Sequence, residues 1–188
     1  MKIAKKTESM PPRVALHPFL AGMNRHLLAL LTDCAVAADF KSDEIILREG
    51  EIANRFYLIE SGKVVLESDE SLGEPGVVGT IRAGDLLGWS WMFPPYVWHF
   101  TARAIEPTEA IFFYGTILRE CCEKNHLLGY ELFKRITPVM LRRLQAARKK
   151  MLSMHTYAEK LPPVIGSSLL MAQERLNCNG EGQGSPWH

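Results

Sequence analysis

Ser90 and His99 are the pair whose residue types could support nucleophilic chemistry, a hydroxyl beside an imidazole, with Asp85 the nearest carboxylate. Their surroundings argue against it. Gly88-Trp89-Ser90-Trp91-Met92 lacks the second glycine of a Gly-x-Ser-x-Gly elbow, the sharp turn that would expose the hydroxyl. Cys122 and His126 stand four apart on an expected helix and could share a face as half of a metal site, but no second ligand pair follows at a characteristic spacing. Buried thiols are the commoner outcome. His99 also stands alone, where a barrel metal site needs several histidines on neighbouring strands. With no set of nucleophile, base and metal, the chain is read as a non-enzyme.

The segment from Gly84 to Glu106 is the chain's unusual stretch. It holds three of the four tryptophans, a Pro-Pro turn and two glycines, with little charge before Arg103. Two readings stay open. The tryptophans fill a core, which alternation favours for Trp91, or they wall a pocket and stack on a flat ring, worth ~1–3 kcal/mol per base in stacking platforms.

These residues must be positioned by one domain plus tails. The chain has 188 residues, 47% hydrophobic and 23% charged, and a formal charge of +1, so a global polyanion partner is not called for. Cys34, Cys121, Cys122 and Cys178 have no disulfide-framework spacing, and Met1 to Met10 lacks the apolar run of a secretory signal. The apolar run Leu27–Leu31 stops at Thr32-Asp33, short of the ~20 residues that span a bilayer. A cytoplasmic protein without a membrane segment is expected.

Residues 1 to 15 show no periodicity and read as a flexible arm. Asn24 to Cys34 carries Leu27, Leu28, Leu30 and Leu31 on one face of a short helix. Short apolar segments with turns between them follow: Glu44 to Leu47, Arg55 to Ile59, Lys63 to Glu67, Val77 to Arg82, Thr101 to Ile105 and Glu109 to Tyr114. Ser61-Gly62 reads as a hairpin turn, and Asp69 to Gly76 as the loop of a second hairpin. Strands so spaced indicate a sandwich or barrel, not a parallel sheet.

Arg48-Glu49-Gly50-Glu51, then Phe56-Tyr57-Leu58-Ile59-Glu60-Ser61-Gly62-Lys63-Val64, then Gly84-Asp85-Leu86-Leu87-Gly88 resemble the cyclic nucleotide-binding domain of catabolite-activator-type regulators and kinase regulatory subunits. The resemblance runs from about Phe19 to Leu152. It implies an eight-stranded jelly-roll β-barrel with an N-terminal helix and two C-terminal helices, over residues 16–154, and a regulatory sensor binding cyclic AMP, cyclic GMP or another small ligand.

The family's ligand lies on a short helical turn, here Gly88 to Met92, whose opening N–H groups face the cyclic phosphate. The family places a glutamate for the ribose after the glycine, and further on an arginine for the phosphate. Alignment puts Trp89 at the glutamate and Trp98 at the arginine. Gly88, Trp89, Ser90, Trp91, Trp98, His99, Phe100 and Thr101 are the expected ligand-side residues. Arg103 is read as a surface ion pair.

Gly129 to Thr137 and Pro138 to Met154 carry apolar residues at helical spacing, with a bend or fresh start expected at Pro138. Leu144, Ala147 and Met151 suit the dimer seam that the resemblance implies, so a homodimer or partner protein is expected through Pro138–Met154. Seven basic residues and no acidic one lie between Lys134 and Lys150, a solvated face in the usual case. Residues 155–188 read as a loose tail with no room for a helix-turn-helix, so direct DNA binding is not expected. The alternative function, of a different class, is a ligand-free interaction and dimerisation domain.

Overall fold

The computed structural model describes residues 2–3, 10–68 and 76–160. The elements in order are β1 (Lys2–Ile3), α1 (Met10–Leu16), a 3-10 turn (Pro18–Leu20), α2 (Arg25–Asp33), β2 (Ala35–Phe40), β3 (Ile45–Leu47), β4 (Arg55–Ser61), β5 (Lys63–Ser68), β6 (Gly76–Arg82), β7 (Leu86–Leu87), a second 3-10 turn (Trp89–Met92), β8 (Thr101–Ala104), β9 (Thr108–Tyr114), α3 (Gly115–Lys124) and α4 (His126–Lys160). The protein is mainly β with flanking helices. β2 to β9 are the eight strands expected, and Lys2–Ile3 adds a ninth by pairing with Asp39 and Ala38.

Two antiparallel sheets form the β-roll, ordered β1-β2-β9-β4-β7 and β3-β8-β5-β6. β4 and β9 are apolar on both faces because each face is covered. Phe56, Leu58, Ile111 and Phe113 face the helices, with Leu20, Leu27, Leu31, Leu118, Leu128, Leu132 and Ile136. Tyr57, Ile59, Ala110 and Phe112 face the interior of the roll, with Phe40, Val64, Leu66, Leu87, Ala102 and Ala104. Burial on both sides explains why the sequence shows apolar runs here and no polar–apolar alternation.

Three expectations are corrected. Ser61-Gly62 does not close a hairpin, since β4 pairs with β9 and β7 whereas β5 pairs with β6 and β8. Gly62 (φ 90°) instead carries the chain from one sheet to the other, pressed so closely on Pro107-Thr108 that a Cβ would stand 2.4 Å from the Thr108 hydroxyl. Residues 10–15, expected within an arm, belong to α1, which buries Met10 and Val14 and tolerates Pro11-Pro12 in its first turn. Where a bend or a fresh start is expected at Pro138, no fresh start occurs: α4 runs through the proline as one helix, with Ile136 and Val139 near it buried. The hairpin of β5 and β6 is present, its loop 69–75 lying outside the described residues.

The chain divides into two compact units, 1–144 and 145–188. The described part of the second is the end of α4, whose side chains are exposed from Gln145 to Ser153. The expected tail beyond Lys160 lies outside the described residues. No described helix is long and apolar enough to cross a membrane.

Candidate functional site: the Gly88 turn

The turn is built from its backbone outward. Gly84 and Asp85 fold back on β4, with Gly84 N–H donating to the Ile59 carbonyl (2.7 Å) and Ile59 N–H donating to the Asp85 carbonyl (3.0 Å). The Asp85 carboxylate accepts from the Arg82 N–H (3.0 Å), closing the turn on itself. Two strand residues later the chain reaches Gly88 at φ 87° and ψ 45°, a left-handed conformation that a side chain resists. It caps the 3-10 turn Trp89–Met92, where the first N–H groups of a helical turn have no carbonyl of the same turn to bond.

Trp98 occupies the space beside that turn. A Cβ at Gly88 would stand 3.1 Å from its ring, and the indole, 3% exposed, packs among Tyr57, Leu87 and Ala102 inside the roll. Its backbone is fixed from both sides: its N–H donates to the Glu51 carbonyl and its carbonyl accepts from the Gly50 N–H, each at 2.9 Å. Trp91 is fully buried on the opposite side of the five-stranded sheet, stacked on Phe56 with ring centres 5.3 Å apart. Its indole N–H has no hydrogen-bond partner, a cost of about 1–3 kcal/mol. Trp89 is half-buried, edge-on to Phe93 and packed toward the helices.

The remaining expected residues separate. Ser90 is buried in the turn and Phe100 packs on the interior cluster. His99 is exposed, and the Thr101 hydroxyl accepts from the Glu49 N–H (3.1 Å). The interior-facing parity is therefore that of Trp98, Ala102 and Ala104, with His99 on the other. Arg103 pairs with Glu67 (3.2 Å), as its surface reading expected. The Cys122 thiol, pushed up to about 11 by burial, and the exposed His126 gather no third ligand; among the described residues no group of three or more His, Cys, Asp or Glu could hold a metal ion.

Two cations reach this segment that sequence reasoning passed over. Arg119 on α3 donates to the Trp91 carbonyl while its guanidinium lies over the Tyr96 ring, 4.5 Å from its centre. Arg143 on α4 donates to the Leu86 carbonyl (2.6 Å), and burial holds its pKa below the ordinary arginine value against the opposing pull of Asp85. The signal for Arg143 was present. It follows Leu132, Ile136 and Val139 by eleven, seven and four residues, which is the buried face of the helix. Both guanidinium groups bond backbone carbonyls, so neither stands as a phosphate clamp in this conformation.

Comparison with known proteins places the segment. Residues 38–125, from β2 to α3, match the model of the cyclic nucleotide-binding domain. The cAMP-dependent protein kinase regulatory subunit of Schizosaccharomyces pombe is 31% identical over 71 residues, 38% of this chain and 16% of that protein. Among solved structures, a Geobacter metallireducens protein assigned as cyclic nucleotide-binding has 25% identity and a TM-score of 0.64, covering 71% of this chain and 97% of its own. A cyclic nucleotide-binding domain from Methylobacillus flagellatus shares the fold at 17% identity and TM-score 0.64, with 83% of each chain covered. Over residues 38–125 the chain is therefore similar to the cyclic nucleotide-binding domain. It spans a small part of the kinase subunit that it matches.

Proposed function

We propose that this chain is a regulatory sensor module whose cassette keeps the backbone half of a cyclic nucleotide site and replaces the side-chain half with tryptophan. The observation that carries the reading is the left-handed Gly88 opening a single helical turn inside the family-matched segment. Without a glutamate and an arginine at Trp89 and Trp98, a phosphate forgoes charge-assisted hydrogen bonds worth ~1.5–3 kcal/mol each. Affinity for cyclic AMP or cyclic GMP is then at least about tenfold below that of a charged cassette. The name of the Schizosaccharomyces pombe relative makes cyclic AMP the first ligand to test.

A ligand on the turn has to displace Trp98 from the interior. Movement of the turn would pull on Arg119 and Arg143, whose bonds to Trp91 and Leu86 couple it to α3 and α4. Such a ligand shifts the population only by its differential affinity for the displaced arrangement. No catalysis is assigned. The output is a homodimer or partner protein through Pro138–Met154, where Leu141, Leu144, Met151 and Leu152 are exposed. A cytoplasmic location completes the proposal.

One observation favours the second reading, a ligand-free interaction domain: Trp98 is as buried as an ordinary core residue. Calorimetric titration with cyclic AMP and cyclic GMP, followed in parallel by tryptophan fluorescence, separates the two. Heat and a fluorescence change below millimolar ligand support the sensor; neither signal up to millimolar supports the interaction domain.

A further inference from the structure

Away from the cassette, α4 leaves one face uncovered. Leu128, Leu132, Ile136 and Val139 form its buried face. On the opposite side Leu127, Tyr130, Phe133, Leu141 and Leu144 are 49–67% exposed. Leu127, Tyr130, Leu141 and Leu144, with Lys134 and Thr137 between them, stand at alternate steps of three and four residues, and Arg148 takes the next step. That spacing draws one straight seam along a helix, the kind that a second helix fits. From Leu127 to Leu144 the seam is about 26 Å long at ~1.5 Å per residue.

The charge on this helix is one-sided. Between Lys134 and Lys150 lie seven basic residues and no acidic one. A single carboxylate, Glu131, serves both Lys134 and Arg135, and Arg143 is turned inward onto the Leu86 carbonyl. Arg142, Arg148 and Lys149 are exposed and have no carboxylate partner among the described residues.

Candidate occupants of the face differ in how they meet those charges. A second copy would set a helix with no acidic residue from 134 to 150 against its like. A bilayer that took up the leucines would have to take up Lys134 and Arg148 as well, because both lie on the same line. A helix with carboxylates flanking its own apolar seam answers every feature: its leucines cover Leu141 and Leu144, and its carboxylates reach the seam cations.

We propose that this face of α4 docks an acidic amphipathic helix of a partner protein. The inference rests on the partner-protein output proposed above and names the chemistry of that partner. The docked helix would lie on the side of α4 away from Arg143, whose bond to Leu86 ties the same helix to the strand before the cassette turn.

The test titrates the full-length chain into a fluorescein-labelled peptide of three heptads, with leucine at the first and fourth positions of each and glutamate on both flanks, and reads anisotropy. A control peptide carries lysine in place of glutamate. The glutamate peptide should bind at least about tenfold more tightly than the lysine peptide at ~0.1 M salt, and the preference should shrink at ~0.5 M as the charges are screened. Leu144→Asp and Arg148→Glu, both at exposed positions, should each weaken the glutamate peptide at least about fivefold and leave the thermal midpoint unchanged. No cyclic nucleotide is present, so a cassette that fails to bind cyclic AMP and a face that fails to dock give separate results. Equal binding of the two peptides, binding of neither, a self-dimer of the wild-type chain in sedimentation that Leu144→Asp abolishes, or binding to phosphatidylserine vesicles without a preference for the glutamate peptide would overturn the proposal.

Discussion

The two faces of the five-stranded sheet each bury a tryptophan, and the two do different work. Trp91 faces the helices, stacked on Phe56, which in turn stacks on Phe113 with centres 4.7 Å apart. That side is a helix-on-sheet core, with Arg119 and Arg143 reaching across it to backbone carbonyls. Trp98 faces the inside of the roll, against the Gly88 turn, where the family resemblance expects a ligand's phosphate and its arginine. One tryptophan is a structural core residue with an unpaired donor. The other fills the space beside the Gly88 turn, where the proposed ligand would sit. Equal burial therefore says little about role; the neighbouring backbone conformation says more.

The largest expected effect comes from emptying the interior. Trp98→Ala should cost ~3–5 kcal/mol by urea unfolding, the range for aromatic truncation in a core, and should leave the outer helical packing intact. A cost under ~1 kcal/mol would mean that the indole is not held there.

Next is the link between α4 and the strand before the turn. Arg143→Met keeps the apolar stem and removes the bond to Leu86, with an expected loss of ~1.5–3 kcal/mol. If tryptophan fluorescence and stability are both unchanged, the helix is not coupled to the cassette through this residue.

His17 sets a smaller, pH-dependent effect. Its Nε2–H donates to the Ile59 carbonyl (3.0 Å) and its Nδ1 accepts from the Phe19 N–H (3.2 Å); burial holds the pKa below the ordinary 6.5. As pH falls through 6.5 the unfolded chain takes the proton first, so stability should decline from there down through the folded-state value. Above 6.5 this group adds no slope. His17→Asn, which keeps an acceptor for Phe19, should flatten the profile at a cost of about 1 kcal/mol. An unchanged urea midpoint profile in the variant would assign the pH dependence elsewhere.

The smallest effect belongs to Trp91. Trp91→Phe removes volume and also removes the unpaired indole N–H, and the two oppose each other. The same substitution at Trp98 removes volume alone, so Trp98→Phe should destabilise by ~1 kcal/mol or more beyond Trp91→Phe. Equal costs would erase the distinction between the two faces.

How much of this was legible follows the same division. The fold was readable because its signals are local: Asn24, whose side chain accepts from the His26 N–H, caps the expected helix, and Gly88 takes the left-handed form at the expected place. The sheet membership of β5 was not, since Ser61-Gly62 looks like a hairpin turn until Pro107-Thr108, over forty residues away, is packed against it. Burial of α1 depends likewise on distant partners for Met10 and Val14. At the site, the helical turn that follows Gly88 was readable. Which parity faced inward was not, because Trp98 precedes β8 and is directed by its backbone bonds to Gly50 and Glu51. Arg119 was hidden for a related reason, its partner being a carbonyl and carbonyls leaving no mark in a sequence.

The central claim is that Trp98 holds the interior in place of a ligand in a cassette whose backbone remains able to bind one. Calorimetric titration of cyclic AMP into the wild-type chain and into folded Trp98→Ala tests it most directly. The account predicts weak but measurable binding to the wild type, with a Kd of roughly 0.1–1 mM, and binding at least about tenfold tighter to the variant. Micromolar binding to the wild type, or no binding to a folded variant, would contradict it.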